Sequence, residues 1–352
     1  MATPLNETVE LTVNGTIYKD WTTVLVRREY GVAVSHFQFT CTEAVPLARV
    51  VTSLQIKPGD ACTVKLAGHL AIAGHVYLRQ ASYDANRHGV MIVGRSKTGD
   101  LVDSSAPLDT GEFKEQPWES IARKMLSKHG IGLVTKGTIN STPFKRADII
   151  PGESVFQFIE RLARMRGIVL SDDVSGNLVA AGGFEGGSGD ALVEGGNIQA
   201  ARCTISDMSL GGSYASFSQI NGDNKEWGKK VSQVHGEHGG DAARSRPFEQ
   251  FTEHPGRKGE ALLRSKFEGG WRDSVQIVAD ITVYGWLRPS GGLWQVGQPV
   301  TVNSPMLLLY NETLYVKCLT FTQDDKSGSL TVLTLVRQNW LTGGAANLSG
   351  AN

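Results

Sequence analysis

The chain has 352 residues, and its 35 Lys and Arg balance 35 Asp and Glu, so its formal net charge is zero. A protein that binds free duplex draws on an excess of cationic side chains to displace counterions from phosphate, and this balance excludes a general nucleic-acid binder. With 40% hydrophobic and 20% charged residues the chain is too apolar for disorder. At about 100–200 residues per domain, that length holds two to four domains.

From residue 5 to about residue 98 the pattern is that of strands. Val9, Leu11 and Val13 alternate with polar residues, Val24 to Val26 precede a turn at Tyr30-Gly31, and Phe37, Phe39 and Cys41 alternate again. Pro58-Gly59-Asp60 is turn chemistry, since Pro presets φ and Gly supplies a positive one. Cys62, Val64 and Leu66 follow, then Val76 and Leu78, a loop from Asp84 to Gly89, and Val90 to Val93. The expectation is one antiparallel barrel or sandwich.

A polar connector runs from Ser96 to Ser105, and helices follow it. The first has Pro117 at its start and Trp118, Ile121, Ala122, Met125 and Leu126 at helical spacing, with Gly130 beyond its end. The second starts near Gly152-Glu153-Ser154, carries Val155, Phe158, Ile159 and Leu162 on one stripe, and stops at Gly167. A hairpin from Ile168 to Ala181 turns at Ser175-Gly176-Asn177. The glycine-crowded segment Gly182 to Gly189 is most simply a linker or wide turn. A polar zone at 213–273 is expected to hold a mobile loop around Gly236, Gly239 and Gly240 and a helix from Gly259 to Glu268. A second β zone begins at Val275 and runs to Trp340, and the tail from Thr342 to Asn352 is expected to fray.

The two β zones resemble each other. Gly59 to Val64 parallels Gly297 to Val302; each leads to an apolar strand, Val76 to Tyr83 or Tyr315 to Phe321. Each then passes an Asp-led, Gly-ended loop, Asp84 to Gly89 or Asp324 to Gly328, into a last strand ending near Arg95 or Arg337. This is the signature of an internal duplication.

Chemical motifs are sparse. His235-Gly236-Glu237-His238 is a tight His/Glu cluster, but it lacks the spacing that sets two imidazoles on one helix face, and solvated loop histidines are the simpler reading. The carboxylate pairs Asp172-Asp173 and Asp324-Asp325 are read as solvated hairpin residues, because neighbours on a strand point to opposite faces. The glycine run has no Gly-Lys-Ser/Thr ending, and no Gly-x-Ser-x-Gly elbow is present. Lys225, Lys229 and Lys230 beside Trp227 are read as a solvated loop. Cys41, Cys62, Cys203 and Cys318 make no C-x-x-C pair and are expected as reduced, buried residues. No catalytic residue, metal ligand or cofactor site is expected, and the chain is not expected to be an enzyme. The first twenty residues contain no signal-peptide h-region, and stretches such as Met306 to Tyr310 are far short of the ~20 apolar residues that cross a bilayer.

Four stretches carry a family resemblance: Val93 to Ser105, Gly152 to Arg164, Gly292-Leu293-Trp294 with the following Gly297, and Asp324 to Gly328 before the last strand. In this order they resemble the baseplate central hub protein of Mu-like contractile-tailed bacteriophages, a family related to the T4-like hub and to the hub part of type VI secretion spike proteins. The resemblance implies a β-dominated α+β fold: two similar antiparallel β-barrel domains and two small α/β domains, assembled as a ring-shaped homotrimer. The expected units are a first barrel at 1–98, an α/β domain at 99–184, a second barrel at 185–212 plus 274–341, an inserted α/β domain at 213–273 and a flexible tail at 342–352.

By the same resemblance the chain would join the tail tube or tube initiator to a separate spike protein, contact baseplate wedge proteins, and let DNA pass without binding it. It would reside in the virion baseplate after assembly in the host cytoplasm. An obligate interface made from barrel edges, larger than about 2,000 Å², is expected. The alternatives are a hub of a type VI-like or other injection system, a carbohydrate-binding module using Trp227, Trp286 or Trp294, and a hydrolase needing His235, Glu237 or His238.

Overall fold

The computed structural model describes residues 7–42, 55–84, 88–108, 111–182, 189–222 and 224–338. Residues 183–188 of the expected linker Gly182 to Gly189, and the tail at 342–352, lie outside the described residues. The first β zone holds β1 (Val9–Val13), β2 (Thr16–Tyr18), β3 (Thr23–Glu29), β4 (His36–Thr42), β5 (Ala61–Leu66), β6 (His69–Tyr83) and β7 (His88–Ser96). There follow α1 (Gly99–Asp103), β8 (Glu112–Gln116), α2 (Trp118–Ser127), β9 (Leu133–Lys136), β10 (Phe144–Asp148), α3 (Val155–Arg164), β11 (Val169–Asp172) and β12 (Leu178–Ala181). Next come β13 (Asp190–Val193), β14 (Ala200–Ile205), β15 (Ser213–Ser218), α4 (Lys229–Ser232), β16 (Val234–Gly239), β17 (Pro247–Phe251) and α5 (Lys258–Ser274). The chain returns to β structure in β18 (Ile277–Tyr284), β19 (Pro299–Ser304), β20 (Leu309–Asp324) and β21 (Gly328–Val336).

Two separately closed barrels are not what forms. One 13-stranded sheet runs β14-β18-β21-β20-β3-β4-β7-β6-β5-β1-β2, with β19 beside β20 and β13 beside β19. The zones join where Cys318 to Asp324 of β20 faces Thr23 to Glu29 of β3 in antiparallel register. One apolar core holds side chains of both zones, including Val26, Phe37 and Phe39 from the first and Ile281, Phe321 and Leu333 from the second. Because β3 hydrogen-bonds to the other zone, it has no free edge with which to close its own. Among the described residues the path stays open, ending at β2 and β14.

The duplication is visible in the hydrogen bonds. The order β4-β7-β6-β5 recurs as β18-β21-β20-β19. Each long strand carries a bulge against its partner, between Val76 and Leu78 in β6 and between Val316 and Cys318 in β20. At each bulge the preceding turn closes on the same residue: Gly59 N–H donates to the Val76 carbonyl and Gly297 N–H to the Val316 carbonyl, both at 2.7 Å. Both glycines hold positive φ, +94° and +82°, a conformation that side-chain-bearing residues rarely adopt.

The helices form where their spacing places them. Ser154 caps α3 with a reciprocal box: its Oγ accepts from Gln157 N–H at 3.2 Å and Gln157 Oε1 accepts from Ser154 N–H at 2.8 Å. Trp118, Ile121 and Met125 of α2 meet Phe158, Ile159 and Leu162 of α3 in a second core, and Trp118 Nε1 donates to the Ile159 carbonyl at 3.0 Å. Sheets β10-β8 and β11-β12-β9 flank these helices, and the hairpin turns where its sequence predicts. The connector from Ser96 to Ser105 is not a loose link, because it forms α1 and buries Ser96, Thr98 and Leu101.

In the 213–273 zone α5 packs on the sheet β16-β15-β17 and extends beyond the expected Glu268. The expected mobile loop is instead strand β16, paired with β15 from Val234 to Gly239. Gly236 is there for proximity: a Cβ at this position would stand 2.1 Å from the Leu262 backbone N of α5.

Candidate interaction surfaces

The residues singled out for chemistry do not converge. His235 and Glu237 project from one side of β16 and His238 from the other, as period-two alternation requires. His235 stacks on Phe217 at 6.0 Å between ring centroids. Among the described residues no three His, Cys, Asp or Glu side chains are grouped so as to hold a metal ion. Trp286 and Trp294 are buried, the former donating Nε1–H to the Thr322 carbonyl at 3.1 Å, so of the three tryptophans considered for a sugar platform Trp227 alone is exposed. Cys41, Cys62 and Cys318 are buried and in no disulfide, whereas Cys203 departs from the expected burial and is half-buried; burial pushes Cys62 up to about 12.

The two aspartate pairs are split by their environments. Asp173 accepts from Ser175 and Asn177 N–H, and Asp324 from Lys326 and Ser327 N–H, all at 2.7 to 2.9 Å; both organise hairpin turns as expected. Asp172 departs from the solvated reading, because it is buried at a junction between the first β zone and the hairpin β11–β12. Its Oδ1 accepts from Ser35 Oγ–H at 2.8 Å and its Oδ2 from Ser35 N–H at 3.0 Å. Arg28, also buried, lies 3.9 Å from the carboxylate and donates to the Asp172 carbonyl at 3.1 Å. Ser96 accepts from Ser35 N–H at 3.1 Å and shares a hydrogen bond with Thr98, which donates to the Ala33 carbonyl. Burial pushes Asp172 above the ordinary carboxylate range in spite of Arg28 and Ser35. Arg28 was legible in principle, since alternation along β3 puts it on the inward side with Val24 and Val26.

A second ionic seam joins α3 to the 213–273 zone. Arg166 is 1% exposed, donates to Glu260 at 2.6 Å and lies 3.7 Å over the Phe144 ring. Arg161 grips Glu153 and the Asp148 carbonyl, and its Nη1 donates to His254 Nδ1 at 3.3 Å. The other His254 nitrogen, Nε2, donates to the Arg146 carbonyl at 2.8 Å, a pattern that calls for the neutral ring. Burial, with Arg161 and Arg166 nearby, accordingly holds His254 below its ordinary value. Arg264 forms a bidentate pair with Glu253 at 2.8 to 3.0 Å and reaches Glu268 at 3.1 Å. Helical spacing marks Arg161 and Arg164 only as a polar face; the partners lie about ninety residues away and leave no local signal.

Among the described residues, β6 and β14 each present an exposed strand edge. From Tyr77 to Tyr83 every residue of β6 is exposed, whereas the corresponding part of β20 is covered by β3. In β14 all but Cys203 are exposed, and the strand pairs with β18 on one side. No helix among the described residues is long and apolar enough to cross a membrane.

The architecture is thus a duplicated β zone carrying α/β inserts, tied by ionic seams and presenting exposed strand edges. Residues 8–96 match the family described as Mu phage baseplate assembly protein GpP-like, N-terminal, and residues 98–182 match Baseplate hub protein gp44-like, second domain. Fold and sequence together define a structural tail protein of the phage baseplate hub class. The chain is 25% identical over 339 residues to baseplate hub protein gp44 of Escherichia phage Mu, covering 94% of this chain and 88% of that one. It is 28% identical to the 43 kDa tail protein of prophage MuSo2 from Shewanella oneidensis, with a TM-score of 0.83 over 96% of this chain and 100% of that one. A tail protein from Neisseria meningitidis MC58, 20% identical, shares the fold with a TM-score of 0.81 over 96% and 98% of the two chains. By these matches the chain is similar, over nearly its whole length, to baseplate hub and tail proteins of Mu-like phages and prophages.

Proposed function

We propose that this hub protein works as a homotrimer that joins the tail tube to the spike, contacts the baseplate wedges, and surrounds a conduit for DNA. The observation that carries the reading is the repeated bulge and turn of β6 and β20. Two equivalent β units per chain offer a trimer six similar positions, which suits a six-fold tube above while keeping three-fold symmetry for a spike below. Assembly in the host cytoplasm precedes incorporation in the tail.

We read the α/β stretches at 99–184 and 213–273 as domains of their own, carried by two β zones that share one apolar core. Zero net charge suits a passage through which phosphate must move without being held. The test is the mass of the purified chain by light scattering. Three chains of 38.0 kDa, 114 kDa in all, is the expected result, and a 38 kDa monomer at micromolar concentration overturns it.

A further inference from the structure

The join between the two β zones inside the chain is a template for a join between chains. Val26 of β3 faces Phe37, which faces Gly94, which faces Val76 at the first bulge. Cys203 of β14 faces Ala279, which faces Leu335, which faces Val316 at the second bulge. Strand for strand, β14 is therefore the counterpart of β3, and Cys203 the counterpart of Val26. On the other side of the join, Phe321 lies five residues beyond Val316, and its counterpart five residues beyond Val76 is Ala81. Phe321 faces Val26 across the join.

The chain thus carries two halves of this join that have no strand against them among the described residues: the outer part of β6, from Leu78 to Ser82, and the free side of β14. Both are exposed on both faces, with Leu78 38% and Ile205 51% exposed, while the same positions in β20 and β3 are largely covered. A strand edge of this kind is a main-chain template for another strand. We propose that β6 of one protomer pairs antiparallel with β14 of the next, repeating the β20–β3 register, so that Ala81 faces Cys203, Ser82 faces Arg202 and Gln80 faces Thr204 of the neighbouring copy. The contact is head-to-tail, so it closes as a ring rather than a two-fold pair, and links within and between chains alternate around that ring. This rests on the trimer proposed above and names the surface that builds it.

Cys203 supplies the probe. In the full chain, Ala81→Cys under mild oxidation should place two thiols on facing strand positions and give covalent dimers and trimers on a non-reducing gel, lost on reduction and absent from the Ala81→Cys, Cys203→Ala double variant. Because facing pairs differ in disulfide geometry with their hydrogen-bonding class, Ser82→Cys with Arg202→Cys, in a Cys203→Ala background, tests the alternate class. Cross-linking of either pair supports the register. A particle of 114 kDa in which neither pair cross-links overturns the edge pairing and leaves the trimer standing, whereas a 38 kDa monomer overturns both.

Discussion

His254 shows how a single residue can make the protein sensitive to acid. Its ring bridges the Arg146 carbonyl and Arg161 and packs edge-on against Phe144 at 5.5 Å. Because burial depresses its pKa, the unfolded chain takes up a proton before the folded one does. Stability contributed by the neutral ring is complete above about pH 6.5 and is lost as pH falls through the lower folded value. His36 and His238 are depressed by burial as well and act in the same direction. In urea unfolding between pH 7 and pH 5, His254→Asn should reduce the acid loss of stability. An unchanged acid limb would assign that loss to the other histidines. The seam itself was hidden in the sequence, since nothing near His254 announces Arg161 93 positions away.

At the scale of elements, most of what the periodicity predicts forms: α2, α3, the hairpin β11–β12 and the alternating strands all lie close to their expected positions. One exception is β16, where glycines suggest a loop and a strand forms. Gly236 is tolerated because β16 needs a residue without a Cβ where α5 crosses it, a constraint from packing rather than from turn geometry. Gly236→Ala should therefore push α5 away from the sheet and destabilise the protein by about 1–3 kcal/mol, the usual range for overpacking. Thermal unfolding measures the loss, and faster amide exchange confined to β16 and α5 would locate it. A variant of wild-type stability would mean that the helix can retreat at little cost.

For the whole molecule, the sheet that runs through both β zones makes them one body with one core; the Arg28–Asp172 junction ties the 99–184 unit to it, and the Arg166–Glu260 pair ties the 213–273 unit to the 99–184 unit. This body has zero formal charge, which bears directly on its dealings with DNA. The assembled protein should not retain a labelled duplex even at about 50 mM salt, where Lys and Arg contacts to phosphate are strongest. Tight binding that weakens steeply with added salt would reveal a basic wall and contradict the passive conduit.

The sequence by itself determined the face each strand turns inward, the limits of α2 and α3, the repeat of one β unit by another, and the resemblance to Mu-like hub proteins. Those features are written in spacings of two to four residues and in turn chemistry, which local sterics and burial read directly. Only the tertiary structure decided that β3 lies against β20 nearly three hundred residues away, that Asp172 turns inward to Ser35 and Arg28, and that a glycine-rich stretch is a strand. The reason is physical. Main-chain hydrogen bonds between strands are the same whatever the side chains, so alternation specifies a strand's faces but leaves open which strand lies beside it; the environment of a buried charge is likewise supplied by residues far along the chain.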